Sequence, residues 1–204
     1  MDTGYIQRKV CGIPTSNIEL RDLAKAWVVI SLAFTILHTG ISLEIRSLVV
    51  FLISALTVGT GFLLHELAHK VVALRFKCWA EFRSFDSMLL IALISSFFGF
   101  IFAAPGAVMI QGRVTKQKHG LIALAGPLTN YILACLYFVL LLSKIKVIVL
   151  IGTMGFTINA WLGFFNLIPL WNLDGLKILQ GSKVQYALMV IFGIALLGLG
   201  YIVQ

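Results

Sequence analysis

Charged side chains are scarce in this sequence of 204 residues, at 12% against about 25% in an ordinary soluble domain. Hydrophobic residues make up 60%, which excludes a disordered chain. The three cysteines are odd in number and far apart, which excludes a disulfide scaffold and a zinc ribbon. The net charge is +8, but the basic residues sit between apolar runs. They therefore indicate loops at a membrane surface, not a soluble nucleic-acid binder.

Long uncharged runs occupy most of the chain. They cover residues 26–43, 47–64, 87–112, 120–143, 147–173 and 184–204. A helix needs roughly 20 mostly apolar residues to cross the hydrocarbon core of a bilayer. The sequence therefore predicts an integral membrane protein.

One short motif within this apolar chain carries chemistry. His65, Glu66 and His69 form an H-E-x-x-H sequence near the end of the second run. Histidines four residues apart share one face of a helix and can direct two imidazoles at one metal ion. Glu66 is placed to take a proton from a water activated by that metal. Ionisable groups at membrane depth are costly and mostly functional, so we interpret the three residues as a candidate catalytic site.

A catalytic zinc takes three protein ligands and keeps one position open, so a third ligand is required. The acidic candidates are Glu19, Asp22, Glu44, Glu81, Asp86 and Asp174. Asp174 follows the longest apolar run, but an Asp before a Gly is also common as a turn or helix cap. Spacing alone favours Asp174 only slightly.

Three motifs in order give the chain a resemblance to the site-2 proteases, the intramembrane zinc metalloproteases. The first is H-E-x-x-H at 65–69, the second is G-P-x-x-N at 126–130, and the third is N-x-x-P-x-x-x-L-D-G at 166–175. The resemblance spans about 61–178 and fits a small form without a PDZ domain. The chain departs from many members at Trp171 and Asn172, where they carry proline shortly before Leu-Asp-Gly. Membrane metalloproteases that use a Glu as the third ligand fit less well, because no Glu follows Glu81.

The resemblance implies roles for individual residues. His65, His69 and Asp174 are then the ligands of one zinc ion, and Glu66 is the general base. Asn166 is implied to lie near the zinc and to orient the substrate or the developing oxyanion. Asn130 belongs to the helix-packing motif of the family's middle core helix, and we also place it among the substrate-binding residues.

The predicted fold is an all-α polytopic membrane protein with five or six transmembrane helices and a short β-strand region near the active site. Five spans are predicted over 24–43, 47–74, 120–143, 147–171 and 183–203. The run at 87–112 contains Gly99, Pro105 and Gly106. We expect a re-entrant or interfacial helix over 88–103 followed by a strand over 107–114, the alternative being an ordinary sixth span.

Substrate capture is expected at a strand edge, because a transmembrane substrate must unwind before cleavage and an extended segment can add to a sheet. The candidate strands are 76–82 and 107–114, with Val108 and Ile110 as predicted substrate-binding residues.

The expected organisation is a polar segment over 1–23 and a single membrane-embedded core over 24–204. The basic loops after the motif helix and after the run at 87–112 favour a multi-pass protein of the cell membrane whose site opens toward the cytosol. The expected partners are a transmembrane protein substrate and the lipid bilayer, without nucleic acid. A membrane metal carrier and a non-catalytic scaffold that binds membrane helices remain alternatives.

Overall fold

The structure, a computed structural model, describes residues 7–10, 12–42, 44–101, 105–170 and 173–203. Most of these residues are helical. The helices are α1 (Asn17–Thr39), α2 (Ile45–Ser54), α3 (Thr60–Arg75), α4 (Asp86–Ser96), α5 (Lys116–Leu140), α6 (Lys146–Phe165), α7 (Asp174–Gly181) and α8 (Lys183–Val203). The strands are β1 (Gln7–Val10), β2 (Ile13–Ser16), β3 (Trp79–Ser84) and β4 (Gly106–Gln111). β1 pairs with β2 and β3 pairs with β4, and both pairs are antiparallel.

Four helical segments of the described chain are long and apolar enough to cross a membrane. They are Ile45–Arg75, Lys116–Leu140, Lys146–Phe165 and Lys183–Ile202. They confirm helices where spans were predicted over 47–74, 120–143, 147–171 and 183–203. The third ends at Phe165, six residues early, because the residues just before a proline disfavour helical backbone and Pro169 follows closely. Trp171 and Asn172 lie outside the described residues.

The predicted span over 24–43 overlaps α1, which begins and ends earlier than expected, at Asn17 and Thr39. The Ser16 hydroxyl accepts a hydrogen bond from the Glu19 N–H and so caps the helix at its N-terminus. The first turns of α1 are therefore polar, and its uncharged part, 26–39, is only about 21 Å long. A fifth span stays a prediction. The proposed boundary between 23 and 24 falls inside this helix, and the division into a polar segment and a membrane-embedded core stays a prediction.

A π-helical stretch, Ala55–Gly59, joins α2 and α3 into one continuous helix. The wider turn displaces backbone carbonyls from their usual partners. The indole N–H of Trp27 donates to the Ala55 carbonyl at 3.0 Å, and the Tyr137 hydroxyl donates to the Leu56 carbonyl at 2.8 Å. These contacts satisfy backbone groups that are expensive to leave unpaired in an apolar layer. They fix the entry to the helix that carries the H-E-x-x-H motif.

The segment between β3 and β4 leaves the sheet and returns to the same place. Ser84 pairs with Gly106, and the Phe85 N–H donates to the Pro105 carbonyl at 3.0 Å. Between them, α4 has 11 residues and is about 16 Å long, about half the hydrocarbon thickness of a bilayer. This helix is therefore too short to span a bilayer by itself, which favours the predicted re-entrant or interfacial helix, and the number of spans stays a prediction. The strands match the predicted pair, although the first begins three residues later than expected and the second ends three residues earlier, at Gln111.

The same-side placement of β3 and β4 predicts a labelling pattern. In a variant without its native cysteines, Lys77→Cys and Lys116→Cys, both at exposed positions, should react with a membrane-impermeant maleimide from the same side of sealed vesicles. Lys144→Cys, beyond the far end of α5, should react only from the other side. Labelling of positions 77 and 116 from opposite sides would contradict the excursion described here.

The α5 helix lies at the centre of the fold and packs against α3, α6 and α7. Its contact with α7 is unusually close, because glycines face each other: a Cβ built on Gly120 would lie 2.9 Å from the Gly181 Cα. A second close approach occurs at Gly175, where a Cβ would lie 2.0 Å from the Leu167 carbonyl oxygen. These glycines let α7 approach α5 and the end of α6, which determines where its first residue, Asp174, lies.

Candidate metal centre

Two turns of α3 and the first residue of α7 bring three ligand atoms together. The Nε2 atoms of His65 and His69 are 3.0 Å apart. The Asp174 Oδ2 atom lies 3.3 Å from the first and 3.1 Å from the second. All three residues are buried. Within the described chain, this is the one group of three that could hold a metal ion.

The triangle fits a tetrahedral zinc site. Zinc binds His nitrogen and carboxylate oxygen at about 2.0–2.2 Å, so two such ligands at the tetrahedral angle lie about 3.3 Å apart. The three observed separations are close to this value, and three protein ligands leave the fourth position open. The donor set and its spacing therefore fit one zinc ion as the cofactor.

Hydrogen bonds at the opposite ring nitrogens orient both imidazoles. His69 Nδ1 lies 2.7 Å from the Ile122 carbonyl oxygen. A carbonyl only accepts, so this Nδ1 carries the proton and Nε2 presents a lone pair. His65 Nδ1 lies 2.6 Å from Asn130 Oδ1 and has the same tautomer. Two lone pairs then face each other beside a carboxylate, an arrangement that a bound cation stabilises and that is unfavourable without one.

Gly126 explains why α5 can pass so close to the ligands. A Cβ at this position would lie 2.4 Å from His69 Nε2 and 2.5 Å from His65 Nε2. Any side chain here would occupy space at the metal-binding atoms. The G-P-x-x-N motif thus supplies a glycine beside the zinc site and, one turn later, the asparagine that contacts His65.

Asp174 uses its two carboxylate oxygens differently. Oδ2 faces the histidines, whereas Oδ1 lies 3.6 Å from the Lys177 ammonium. The nearby positive charge of Lys177 favours the ionised form of this carboxyl group. The carboxylate is therefore available as an anionic ligand.

The other five acidic residues considered as ligands are engaged elsewhere or lie far away in the fold. Glu19 is fully buried and accepts hydrogen bonds from the Lys70 ammonium and the Phe82 N–H. Glu81 accepts from Ser16 and Arg83. Asp22 accepts a hydrogen bond from the Ser84 N–H, and Asp86 accepts one from Lys25. The backbone N–H of Glu44 donates to the Ser42 hydroxyl. The tertiary structure thus selects Asp174 from the six candidates.

Glu66 is buried and lies between the metal ligands and β4. The Val108 N–H is directed at its carboxylate. The N–H of Phe82, the partner of Val108 in the sheet, points the other way, to Glu19. Backbone groups alternate along an antiparallel ladder, so Ile110, two residues after Val108, also directs its N–H away from β3. The outer edge of β4 therefore faces the active-site side of α3.

The predicted substrate-binding residues differ in what their side chains contact. The side chains of Val108 and Ile110 pack against the protein's own core, so their backbone groups, not their side chains, line the edge of β4. Asn130 is fully buried and hydrogen-bonded to His65, which fits the positioning of a ligand better than contact with substrate.

Asn166 lies at the junction between α6 and α7. Its side-chain amide donates to the Leu162 carbonyl at 2.9 Å, and its own carbonyl accepts the Gly175 N–H at 2.7 Å. The second bond ties the end of α6 to the residue after Asp174. These contacts show how Asn166 supports the ligand; its role toward substrate stays a prediction.

Two residues near the site were not identified from the sequence. Lys177 follows Asp174 by one helical turn, a spacing that allows their contact. Asn159 is fully buried and contacts Asn130. An amide within a long apolar run is itself a signal, since unpaired polar groups in such a layer are unfavourable.

Comparison with known proteins identifies a relative. The chain is 40% identical over 156 residues to a Methanocaldococcus jannaschii protein named "putative zinc metalloprotease". The alignment covers 74% of this chain and 80% of the relative. No protein-family profile matches the chain, and no solved structure matches it significantly. The relative's name agrees with the His-His-Asp donor set that the fold assembles.

Proposed function

The chain belongs to the zinc metalloprotease family of its Methanocaldococcus jannaschii relative, and from this we propose that it is an intramembrane protease of the site-2 type. It hydrolyses peptide bonds within transmembrane segments of other proteins. One observation carries the proposal: two of the three ligands lie on Ile45–Arg75, a helix long and apolar enough to span a membrane. A metal centre at that depth suits a substrate that is itself within the bilayer.

The residues have distinct roles in this reaction. When bound, zinc supplies Lewis-acid chemistry by polarising the scissile carbonyl and lowering the pKa of water. Glu66 takes a proton from the attacking water and later gives it to the amine leaving group. Asn166 is proposed to orient the substrate or the developing oxyanion. Burial of the ligands favours these electrostatic interactions because it excludes bulk water.

We place the protein in the cell membrane as a multi-pass protein, with its site opening toward the cytosol. The support is charge: the turns at the β3–β4 end of the molecule carry the exposed basic residues Arg75, Lys77, Arg113, Lys116 and Lys118. Such an excess of Lys and Arg is typical of cytosolic loops. The expected partners are the lipid bilayer and a transmembrane protein substrate.

Mapping of the cleavage site tests the proposed function. The purified protein in liposomes, incubated with a fusion protein that contains one transmembrane helix, should release fragments whose new termini lie within the apolar segment. Mass spectrometry of the fragments identifies those termini. Cleavage confined to the water-exposed flanks would contradict intramembrane proteolysis and indicate a protease of exposed segments.

The outer edge of β4 is proposed to hold the unwound substrate as an added strand. Backbone groups of a helix are paired internally, so a substrate must exchange those bonds for others before its amides become accessible. An edge strand offers replacement bonds in an extended geometry. The Val108 N–H is directed at Glu66, so the edge would place a substrate strand next to the general base.

Proline at position 110 is expected to weaken this capture. Ile110→Pro removes an N–H that points away from β3, and edge positions tolerate proline without loss of the sheet. Ile110→Ala removes the same packing but keeps the N–H, so it serves as the control. We expect the proline variant to cleave at least about fivefold more slowly than the alanine variant at low substrate concentration, since one hydrogen bond contributes about 1 kcal/mol. Equal rates for the two variants would contradict strand addition at this edge.

A further inference from the structure

A chain of buried amides runs from α6 to the metal centre. Asn159 Nδ2 donates to the Gly155 carbonyl at 2.9 Å, and Asn130 Nδ2 donates to Asn159 Oδ1 at 3.0 Å. Asn130 Nδ2 also lies 3.2 Å from the Gly61 carbonyl oxygen. Asn130 Oδ1 faces His65 Nδ1 at 2.6 Å. Both asparagine side chains are fully buried.

The Gly155 carbonyl, at one end of this series of hydrogen bonds, determines which group donates and which accepts along it. The Gly155 carbonyl only accepts, so Asn159 must present its NH2 group there and its oxygen to Asn130. Asn130 then directs its NH2 group at Asn159 and at the Gly61 carbonyl, and its oxygen at His65. His65 must therefore carry its proton on Nδ1, which leaves the Nε2 lone pair for the metal.

Close packing between α3 and α6 holds the two amides in contact. A Cβ built on Gly61 would lie 2.4 Å from Asn159 Oδ1, so only glycine on α3 lets α6 bring this amide so near. No bulk water is available at a fully buried position to replace a lost partner, and an amide that loses its partner can flip. Two acceptors, the Gly61 carbonyl and Asn159 Oδ1, thus hold the NH2 group of Asn130, and loss of Asn159 removes the closer one.

We propose that Asn159 is a positioning residue that, through Asn130, fixes the tautomer of His65 for metal binding. The hydrogen bonds of Asn159 go to Asn130 and Gly155, and not to a metal ligand. The proposal rests on the zinc centre and not on intramembrane cleavage, so it can be tested without any substrate.

Zinc affinity of the detergent-solubilised protein, measured by competition with a chromogenic chelator, provides the test. Asn159→Leu removes both hydrogen bonds at similar size and should weaken zinc binding at least about 10-fold, the lower end of the effect of losing a side chain that hydrogen-bonds a metal ligand, since Asn159 acts through Asn130. Thr153→Val is the matched control. It removes a hydrogen bond of the same kind from the same helix, from the Thr153 hydroxyl to the Val149 carbonyl, and should leave the affinity unchanged.

Asn159→Asp keeps the proposal testable if the leucine variant does not fold. A carboxyl group offers the same oxygen to Asn130 and, when protonated, a hydroxyl to Gly155, so zinc affinity should stay within about threefold of the unaltered protein, since the partner of Asn130 is retained. A folded Asn159→Leu protein within about twofold of the unaltered affinity would overturn the proposal, because the expected loss is at least about tenfold. An equal loss of zinc affinity in Thr153→Val would also overturn the proposal.

The tautomer can also be observed directly in the unaltered protein. The 15N spectrum of zinc-loaded, histidine-labelled protein distinguishes a ring that binds through Nε2 with a proton on Nδ1 from the reverse. We expect the first form for His65. Binding of His65 through Nδ1 would overturn the proposal whatever the variants do.

Discussion

Glu66→Gln is expected to abolish most proteolysis while leaving the zinc site intact. The amide cannot accept the proton of the attacking water, and loss of general-base catalysis typically lowers kcat by about 100- to 10,000-fold. The amide oxygen can still accept the Val108 N–H, so the contact between α3 and β4 persists. Fragment release measured by gel, beside zinc content measured by atomic absorption, gives both quantities from one preparation.

Glu44→Gln provides the control for this variant, since Glu44 is exposed in the loop after α1. Both substitutions remove one negative charge and so change the net charge by the same amount. Its activity should match that of the unaltered protein. If Glu66→Gln cleaved at the same rate, the observed activity would come from a contaminant. The carrier and scaffold alternatives would then regain support, because neither needs a base beside the metal.

Asp174→Asn is expected to remove zinc and, with it, all activity. The substitution replaces an anionic ligand, one of only three from the protein, with a neutral amide. Loss of a side chain that only hydrogen-bonds a metal ligand weakens metal binding by about 10- to 100-fold. Loss of a ligand itself should therefore weaken zinc binding by more than about 100-fold. Chelator competition measures the affinity, and cleavage measured at high zinc concentration shows whether activity returns when the site is refilled.

Asp86→Asn serves as the comparison for the ligand variant. Asp86 is also an aspartate at the first position of a helix, but it is exposed and pairs with Lys25. Exposed ion pairs contribute little to stability, so zinc affinity and activity should remain close to those of the unaltered protein. Retention of zinc by Asp174→Asn would contradict the ligand set described here.

Much of the helical architecture follows from the sequence alone. Long uncharged runs have few structural alternatives in an apolar layer, because only a helix pairs all its backbone groups within one segment. The runs at 120–143 and 184–204 therefore indicate helices without knowledge of their neighbours. Boundaries were less predictable, because capping at Ser16 and the backbone constraint before Pro169 act on single residues.

The two histidines and Glu66 were also identifiable from the sequence, because a spacing of four residues on a helix directs both rings to one side. The third ligand was identified from the sequence only through the resemblance to a known family, not from spacing. Asp174 is 105 residues from His69 along the chain, and its position depends on glycines such as Gly120 and Gly175 that bring α7 against α5 and the end of α6. Sequence spacing carries no information about such long-range packing.

By itself, the sequence determined that the chain is helical, apolar and equipped with two metal ligands and an adjacent base, since these properties reside in local composition and spacing. The tertiary structure decided which acid completes the zinc site, which edge of β4 faces Glu66, and how Asn130 and Asn159 orient His65. Each of these depends on contacts between segments far apart in the chain. Directional hydrogen bonds and close packing at glycines set those contacts, and neither leaves a periodic pattern in the sequence.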